Sequence, residues 1–332
     1  MLPSPTLPAT WRGLLEMFRP AFRRSRTFGL FVLLATGLVA QTARRTVVGM
    51  LVGAGVAAVV SFHACCRFFS HHRWDVGGVG LVRGRLIGRR LLGAGAPIVV
   101  VVDDTLFRRW GPKVFGAFWT HDGSGQDPNA LGRGNRWVIA GILVRLPFCA
   151  HPVCLPVLLR LWRGRGTASA VQLAGELILL LAQEFPDRCI HAVGDAAYHG
   201  KALLVERTTV TTRGPANAAL YAPAPPGTGR RGRPRLTGHR LGTPAEIAAA
   251  ATWRQVTVSR YGRRDTVEIT VIDSIWYGAF GNTEGRTVLV REPGSEKVLA
   301  IFNTDTPSAT ERVVALPATR RPRDDAPAAS GA

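Results

Sequence analysis

Residues 97–104 read Pro97-Ile98-Val99-Val100-Val101-Val102-Asp103-Asp104, and this short stretch decides the fold. Four consecutive valines followed by polar residues are typical of a strand that is buried on both faces. A second stretch, from Cys189 to Gly194, ends in the same way at Asp195. An aspartate at the end of a buried strand is held rigidly and still meets solvent. If the two strands meet in one sheet, Asp103 and Asp195 become candidate ligands for a shared divalent metal ion. Side-chain alternation directs Asp104 to the opposite face.

The elements around these two stretches follow a recognisable order. Strands are predicted over 99–102, 135–144 and 153–162, an apolar helix over 170–185, and a further strand over 190–193. Three strands, a helix and a strand, with an acid after the first and the last strand, is the order of a ribonuclease-H-like α/β core. Such a core joins an antiparallel meander to a parallel strand by a right-handed crossover.

The rest of the chain divides by composition into further segments. The predicted organisation is a helical N-terminal domain with a candidate role in DNA binding over 1–95, the first part of the core over 96–204, a basic linker and β-rich insertion over 205–296, the last core strand and the start of a catalytic helix over 297–315, and an aberrant, disordered tail over 316–332. Within the core, Thr105 to Asn135 is predicted to be a long loop, and loops of this length are usually functional or disordered.

The net charge predicts a polyanionic partner. The 332 residues carry 42 basic against 22 acidic side chains, a formal charge of +20, and nearly all of the basic residues are arginines. Arginine binds phosphate oxygens bidentately, so double-stranded DNA is the expected partner. A genome rich in G and C, which favours arginine codons, is the alternative explanation.

Two basic segments are candidates for that contact. Arg230, Arg231, Arg233 and Arg235 lie in a Pro- and Gly-rich tract that could follow the minor groove or serve as a flexible basic linker. The segment from Trp74 to Arg90 fits a DNA-facing helix and a solvated basic face equally well.

The cysteines and the apolar runs bear on the cellular compartment of the protein. Five scattered cysteines without a CxxC pair are typical of reduced thiols in the cytoplasm, and the cluster from His63 to His72 matches no zinc spacing. The apolar runs 28–40 and 47–60 are shorter than the ~20 residues of a membrane span. They are predicted to be two buried helices, with membrane association as the alternative, and a nucleoid-associated cytoplasmic protein is expected.

Four motifs together resemble the DDE-type transposases of bacterial insertion sequences. They are Val101-Val102-Asp103-Asp104-Thr105, Gly134-Asn135-Arg136-Trp137-Val138, Val153-Cys154-Leu155-Pro156-Val157 and Val193-Gly194-Asp195-Ala196-Ala197-Tyr198. The likeness continues through Arg230–Arg235 and Asn303-Thr304-Asp305. It implies cut-and-paste DNA transposition that depends on Mg²⁺ (or Mn²⁺), a β-rich insertion, assembly on paired transposon ends, and roles for Asp103 and Asp195 as the first two metal-binding acids.

The third acid of that family departs from the expected pattern. A glutamate on a helix after the last core strand is expected, and Asp324 falls in its register, in a segment that carries Pro317, Pro322 and Pro327. Prolines oppose a regular helix. The resemblance therefore predicts a truncated or frameshifted copy with impaired cutting, and Glu311 and Glu284 are weaker substitutes. A catalytically inactive DNA-binding remnant is the alternative function.

Overall fold

The computed structural model describes residues 8–42, 44–123, 130–226, 234–260, 263–307 and 313–314. The chain forms two compact units, Met1–Arg85 and Leu86–Ala332, which are described separately. Within the described residues, no helix combines the length and the apolar character that crossing a membrane requires.

The first unit is helical and encloses its own apolar core. Its helices are α1 (Ala9–Glu16), α2 (Ser25–Ala40), α3 (Val47–Gly53), α4 (Phe62–Ser70) and the first part of α5 (Val76–Arg90). Phe22 stacks on Trp74, and Trp74 stacks in turn on Phe68, so aromatic rings fill the centre of the bundle. The buried leucines of α2 pack around these rings. The helices α2 and α3 pack against each other, as the sequence predicts, but the second run is only partly buried. Leu51, Val56 and Val60 are buried, whereas Val48, Val52 and Val59 are 53–67% exposed.

The second run nevertheless forms a shorter helix than predicted. The helix α3 ends at Gly53 instead of continuing to Val60, because Gly55 adopts φ +69°. The backbone N–H groups of Gly55 and Val56 donate to the carbonyls of Val52 and Leu51, which is the Schellman arrangement that closes a helix.

The second unit is built on one mixed sheet with helices around it. Its described strands are β1 (Ile98–Arg108), β2 (Phe118–His121), β3 (Leu131–Val144), β4 (Val153–Trp162), β5 (Ile190–Gly194), β6 (Thr208–Gly214), β7 (Leu220–Tyr221), β8 (Arg240–Gly242), β9 (Arg254–Arg260), β10 (Arg263–Ile275), β11 (Glu284–Arg291) and β12 (Leu299–Asn303). Its described helices after α5 are α6 (Ala170–Glu184), α7 (Pro244–Ala249) and α8 (Tyr277–Phe280). The order along the sheet is β2-β3-β1-β5-β6-β12-β11-β10-β7-β8, with β4 beside β3 and β9 beside β10.

The centre of this sheet confirms the predicted ribonuclease-H-like α/β fold. Strands β4, β3 and β1 pair antiparallel, whereas β1, β5 and β6 pair parallel. The helix α6 connects β4 to β5, and it begins with a capping box in which Ser169 and Gln172 exchange hydrogen bonds. Its apolar face is fully buried in the core. This crossover brings two strands that are distant in sequence side by side.

Two parts of the sheet differ from the sequence prediction. The segment from Thr105 to Asn135 was predicted to be a loop, and this is wrong for most of its described residues. Strand β1 extends to Arg108, β2 forms within the segment, and β3 begins at Leu131. Strand β6 was not predicted, and it lies directly beside β5. The predicted domain limits within the second unit stay predictions.

Candidate active site

The parallel register of β1 and β5 places the two predicted acids side by side. Val101 pairs with Val193, and each acid follows two residues later: Asp103 within β1, and Asp195 directly after the end of β5. Because side chains alternate along a strand, both carboxylates lie on the face that carries these valines. Neighbouring strands lie about 4.8 Å apart, so two short acidic side chains at this edge can reach a common ligand.

The turn that carries Asp195 is fixed by hydrogen bonds on three sides. The Oδ1 atom of Asp195 accepts from the backbone N–H of Ala197 at 2.9 Å, and its carbonyl accepts from the N–H of Tyr198 at 3.0 Å. Thr212 on β6 donates its hydroxyl to the carbonyls of Asp195 and Tyr198 at 2.8 and 2.9 Å. The carboxylate therefore leaves the strand in a defined direction.

Gly194 allows this turn to close against its own strand. A Cβ atom at this position would lie 2.6 Å from the Cβ of Tyr198 and 2.9 Å from its carbonyl oxygen. Both distances are shorter than van der Waals contact, so a side chain would push the turn away. The Gly-Asp-x-x-Tyr order of residues 194–198 thus follows from the way the backbone folds back on itself.

Asp104 has a different role from Asp103. Its two carboxylate oxygens accept from Nε and Nη2 of Arg136 at 2.8 and 2.9 Å, and Oδ2 also accepts from the Tyr198 hydroxyl at 3.0 Å. The guanidinium of Arg136 also lies over the ring of Trp162. These contacts occupy the Asp104 carboxylate, so it contributes an ion pair to the structure while Asp103 faces the other way.

Tyr198 connects the turn after Asp195 to strand β1 through this ion pair. Burial raises the pKa of its phenol far above the usual range, and the neighbouring Asp104 carboxylate raises it further. The phenol therefore stays protonated and donates its hydrogen bond at any physiological pH. Asp104, which follows Asp103, is therefore hydrogen-bonded to Tyr198 in the turn after Asp195.

A ladder of polar side chains crosses the strands below the two acids. The ring of His191 contacts the hydroxyls of Thr209 and Thr211 at 2.7 and 2.9 Å, and Thr211 donates to Oδ1 of Asn303 at 3.1 Å. His191, Thr211 and Asn303 are buried, so their polar atoms satisfy one another. The ladder joins β5, β6 and β12 and accounts for a buried histidine in structural terms.

The donor set at this edge suits a hard divalent cation. Carboxylate oxygens are the ligands that Mg²⁺ prefers, and it commonly takes one or two of them with water and substrate oxygens. Desolvation and the charge of Asp103 raise the pKa of the nearby Cys154 thiol to about 11. In the part of the chain that the structure describes, no three His, Cys, Asp or Glu side chains group closely enough to hold a metal ion. That statement also covers the cluster from His63 to His72.

The other predicted site residues fall outside this edge or outside the described chain. Arg230, Arg231, Arg233, Glu311 and Asp324 lie outside the described residues, whereas Arg235 is described and exposed. Glu284 begins β11, which is three strands away from β5 and therefore about 14 Å from it. Glu284 thus lies apart from the acidic pair. Sequence reasoning assigned no role to Arg136 or Tyr198, although both stand in the quoted motifs.

Comparison with known proteins agrees with this geometry. The family model for DDE superfamily endonucleases matches residues 17–267, which is most of the chain. The chain belongs to this family. A search of curated proteins gave no match. The family match includes both Asp103 and Asp195, so the resemblance inferred from the motifs is confirmed at the level of the DDE endonuclease family.

Replacing Gly194 with alanine is expected to lower the free energy of unfolding by about 1–3 kcal/mol, because the added methyl group overpacks the turn against Tyr198. Urea unfolding followed by circular dichroism measures this. Gly278→Ala is the matched control, since a Cβ there meets nothing within 4 Å. Equal stability of the two variants would contradict the close packing described for the turn.

Proposed function

We propose that this DDE superfamily endonuclease hydrolyses phosphodiester bonds and transfers DNA strands during transposition of an insertion sequence. The observation that carries the proposal is the register of β1 and β5, which sets Asp103 and Asp195 side by side on one face of the sheet. The proposed partners are the transposon ends and the target DNA, and a homo-oligomer would hold two ends together. DNA in the bacterial nucleoid is the proposed setting.

Asp103 and Asp195 would hold Mg²⁺ or Mn²⁺, which activates water or a 3′-hydroxyl as a nucleophile and stabilises the leaving oxygen. The protein contributes the positions of the two carboxylates. Asp103 is fixed by the buried strand below it, and Asp195 by the hydroxyl of Thr212 and the N–H of Ala197. The Asp104–Arg136 pair places a neutralised carboxylate behind the site, which limits further repulsion of the phosphate backbone.

We also propose that the helical unit binds the phosphate backbone of DNA through a basic cleft. The cleft has a volume of about 840 Å³ and is lined by Arg23, Arg24, Arg26, Thr27, Leu30, Ser61, His63, Ala64, Arg67, His71, His72 and Arg73. No carboxylate is among these residues. The helix α2 begins at this cleft after Arg24, which provides no side-chain cap, so the positive end of the helix adds to the field of the arginines.

The central prediction concerns the two acids. Asp103→Ala and Asp195→Ala are each expected to abolish nicking of a supercoiled plasmid that carries the element's ends, measured with Mg²⁺ or Mn²⁺, because each variant loses a metal ligand. Asp187→Ala is the control and keeps wild-type nicking, since Asp187 is exposed near the opposite end of β5. Nicking that persists in either acid variant would refute the assignment.

We further propose that cutting is slow; the alternative function is a DNA-binding remnant that no longer cuts. The described residues bring two carboxylates to this edge, and the prolines at 317, 322 and 327 oppose the helix on which the family likeness places a third. Asp324→Ala is therefore expected to leave the low nicking rate unchanged. Efficient nicking that Asp324→Ala abolishes would show that the tail supplies the third ligand.

The cleft is tested by the salt dependence of DNA binding. Arg23→Ala combined with Arg26→Ala is expected to reduce the slope of log affinity against log salt by roughly two, since each lost phosphate contact removes about 0.9. Arg44→Ala combined with Arg45→Ala is the matched control, because these exposed arginines lie outside the cleft. An equal slope for both double variants would exclude a specific role for the cleft.

A further inference from the structure

The face of the sheet that carries Asp103 continues beyond it as an exposed surface. Along β1 the side chains on this face are those of Asp103, which is partly buried, and of Thr105 and Phe107, which are exposed. On the opposite face Val100 and Val102 are at most 2% exposed, and Asp104 and Leu106 are partly buried. The two faces of β1 are therefore built for different surroundings.

The register of the neighbouring strands adds aromatic and apolar side chains to the same surface. Phe107 pairs with Asn135 on β3, and Trp119 on β2 pairs with Arg133 on β3. Leu131 lies two residues before Arg133 and shares its face. Phe107, Trp119 and Leu131 are 45%, 61% and 67% exposed. Single exposed apolar residues are ordinary, whereas three on one face indicate a binding surface.

The loop from Arg109 to Ala117 is fastened to this face rather than free. Arg133 donates to the carbonyl of Gly111 at 2.8 Å, and Nδ2 of Asn135 donates to the carbonyl of Phe115 at 2.8 Å. Phe115 is 75% exposed although its backbone is anchored. The backbone of Phe115 is therefore anchored to Asn135, the residue that pairs with Phe107, while its ring meets solvent. Phe107, Phe115, Trp119, Arg109 and Arg133 are called the aromatic platform below.

The charge of the platform favours a polyanion. Arg109 and Arg133 lie on it, and Lys113 is exposed in the same loop. Within the described residues 105–123 and 130–137, the one acidic residue is Asp122. Its side chain is buried and paired with Arg108. Within the part of the chain that the structure describes, exposed aromatic rings thus lie beside cations, which is the combination that proteins use to stack the bases of single-stranded nucleic acids.

We propose that the aromatic platform binds unpaired bases of the DNA strand next to the bond that is cut, so that the preferred substrate is DNA with unpaired positions at its end. This inference rests on the proposed function, because it identifies the substrate of the Asp103 and Asp195 site. Phe107 lies four residues from Asp103 along β1, about 13 Å, so bases stacked there belong to the nucleotides that flank the scissile phosphate. A fully paired end offers no free base face to the platform.

Binding without divalent cations separates this inference from cutting. Fluorescence anisotropy in EDTA compares a short blunt duplex with the same duplex carrying several unpaired terminal positions. Wild type is expected to prefer the unpaired end, and Phe107→Ala combined with Trp119→Ala is expected to reduce that preference by roughly 30-fold, about fivefold per lost base contact. Phe148→Ala, at an 81% exposed aromatic in the turn between β3 and β4, is the control and keeps the preference.

The outcomes distinguish the platform from the proposed catalytic site. Asp103→Ala is expected to bind the unpaired end as well as wild type does, so that loss of nicking with retained preference supports the platform on its own. Equal affinity of wild type for the two duplexes would overturn it. A double variant that keeps the preference would also overturn it, and if that variant sediments at a lower mass, the platform is instead a contact between two copies of the chain.

Discussion

The structure of the site depends on the parallel pairing of β1 with β5. These strands are about ninety residues apart in sequence, and their register sets Asp103 and Asp195 at equivalent heights. A shift by one residue would turn one carboxylate to the opposite face of the sheet. The helix α6 makes the parallel arrangement possible, because a parallel pair needs a crossover connection. The acidic pair is thus a consequence of the topology.

An ion pair on the opposite face of the sheet from Asp103 reinforces this pairing. Its acid is Asp104, the residue that directly follows Asp103 in the sequence. Asp103 and Asp104 are neighbours, yet Asp103 faces the proposed metal site and Asp104 binds Arg136 and Tyr198. The Arg136 and Asp104 side chains are 19% and 16% exposed, so removing one partner would leave the other charge poorly compensated. Through Tyr198, this ion pair connects β1 to the turn after Asp195. Asp104 thus has a structural role, which differs from the proposed metal-binding role of Asp103.

The pattern of apolar residues predicted the strands and the helix whose buried positions carry apolar side chains. The predicted limits of β4 agree with those observed, and the crossover helix and β5 agree to within a residue. Strand β6 reads Thr208-Thr209-Val210-Thr211-Thr212 and has no such pattern, since its buried threonines are satisfied by His191, Asn303 and the carbonyl of Asp195. The start of β3 resembled a loop because its exposed face is polar, while Gly132 and Gly134 are buried where a Cβ would clash with Leu106 and the Phe107 carbonyl. Side-chain contacts such as Arg136 with Asp104 join residues 32 positions apart and follow only from the register.

The two faces of the sheet have separate tasks. One face carries the partly buried Asp104–Arg136 ion pair, and the other carries Asp103, Asp195 and the aromatic platform. We propose above all that Asp103 and Asp195 act together as ligands of one cation site, and calorimetric titration with Mn²⁺ tests this most directly, independently of DNA and of activity. Wild type is expected to bind Mn²⁺, and Asp103→Asn and Asp195→Asn are each expected to weaken that binding strongly. Wild-type affinity for Mn²⁺ in both variants would contradict the claim.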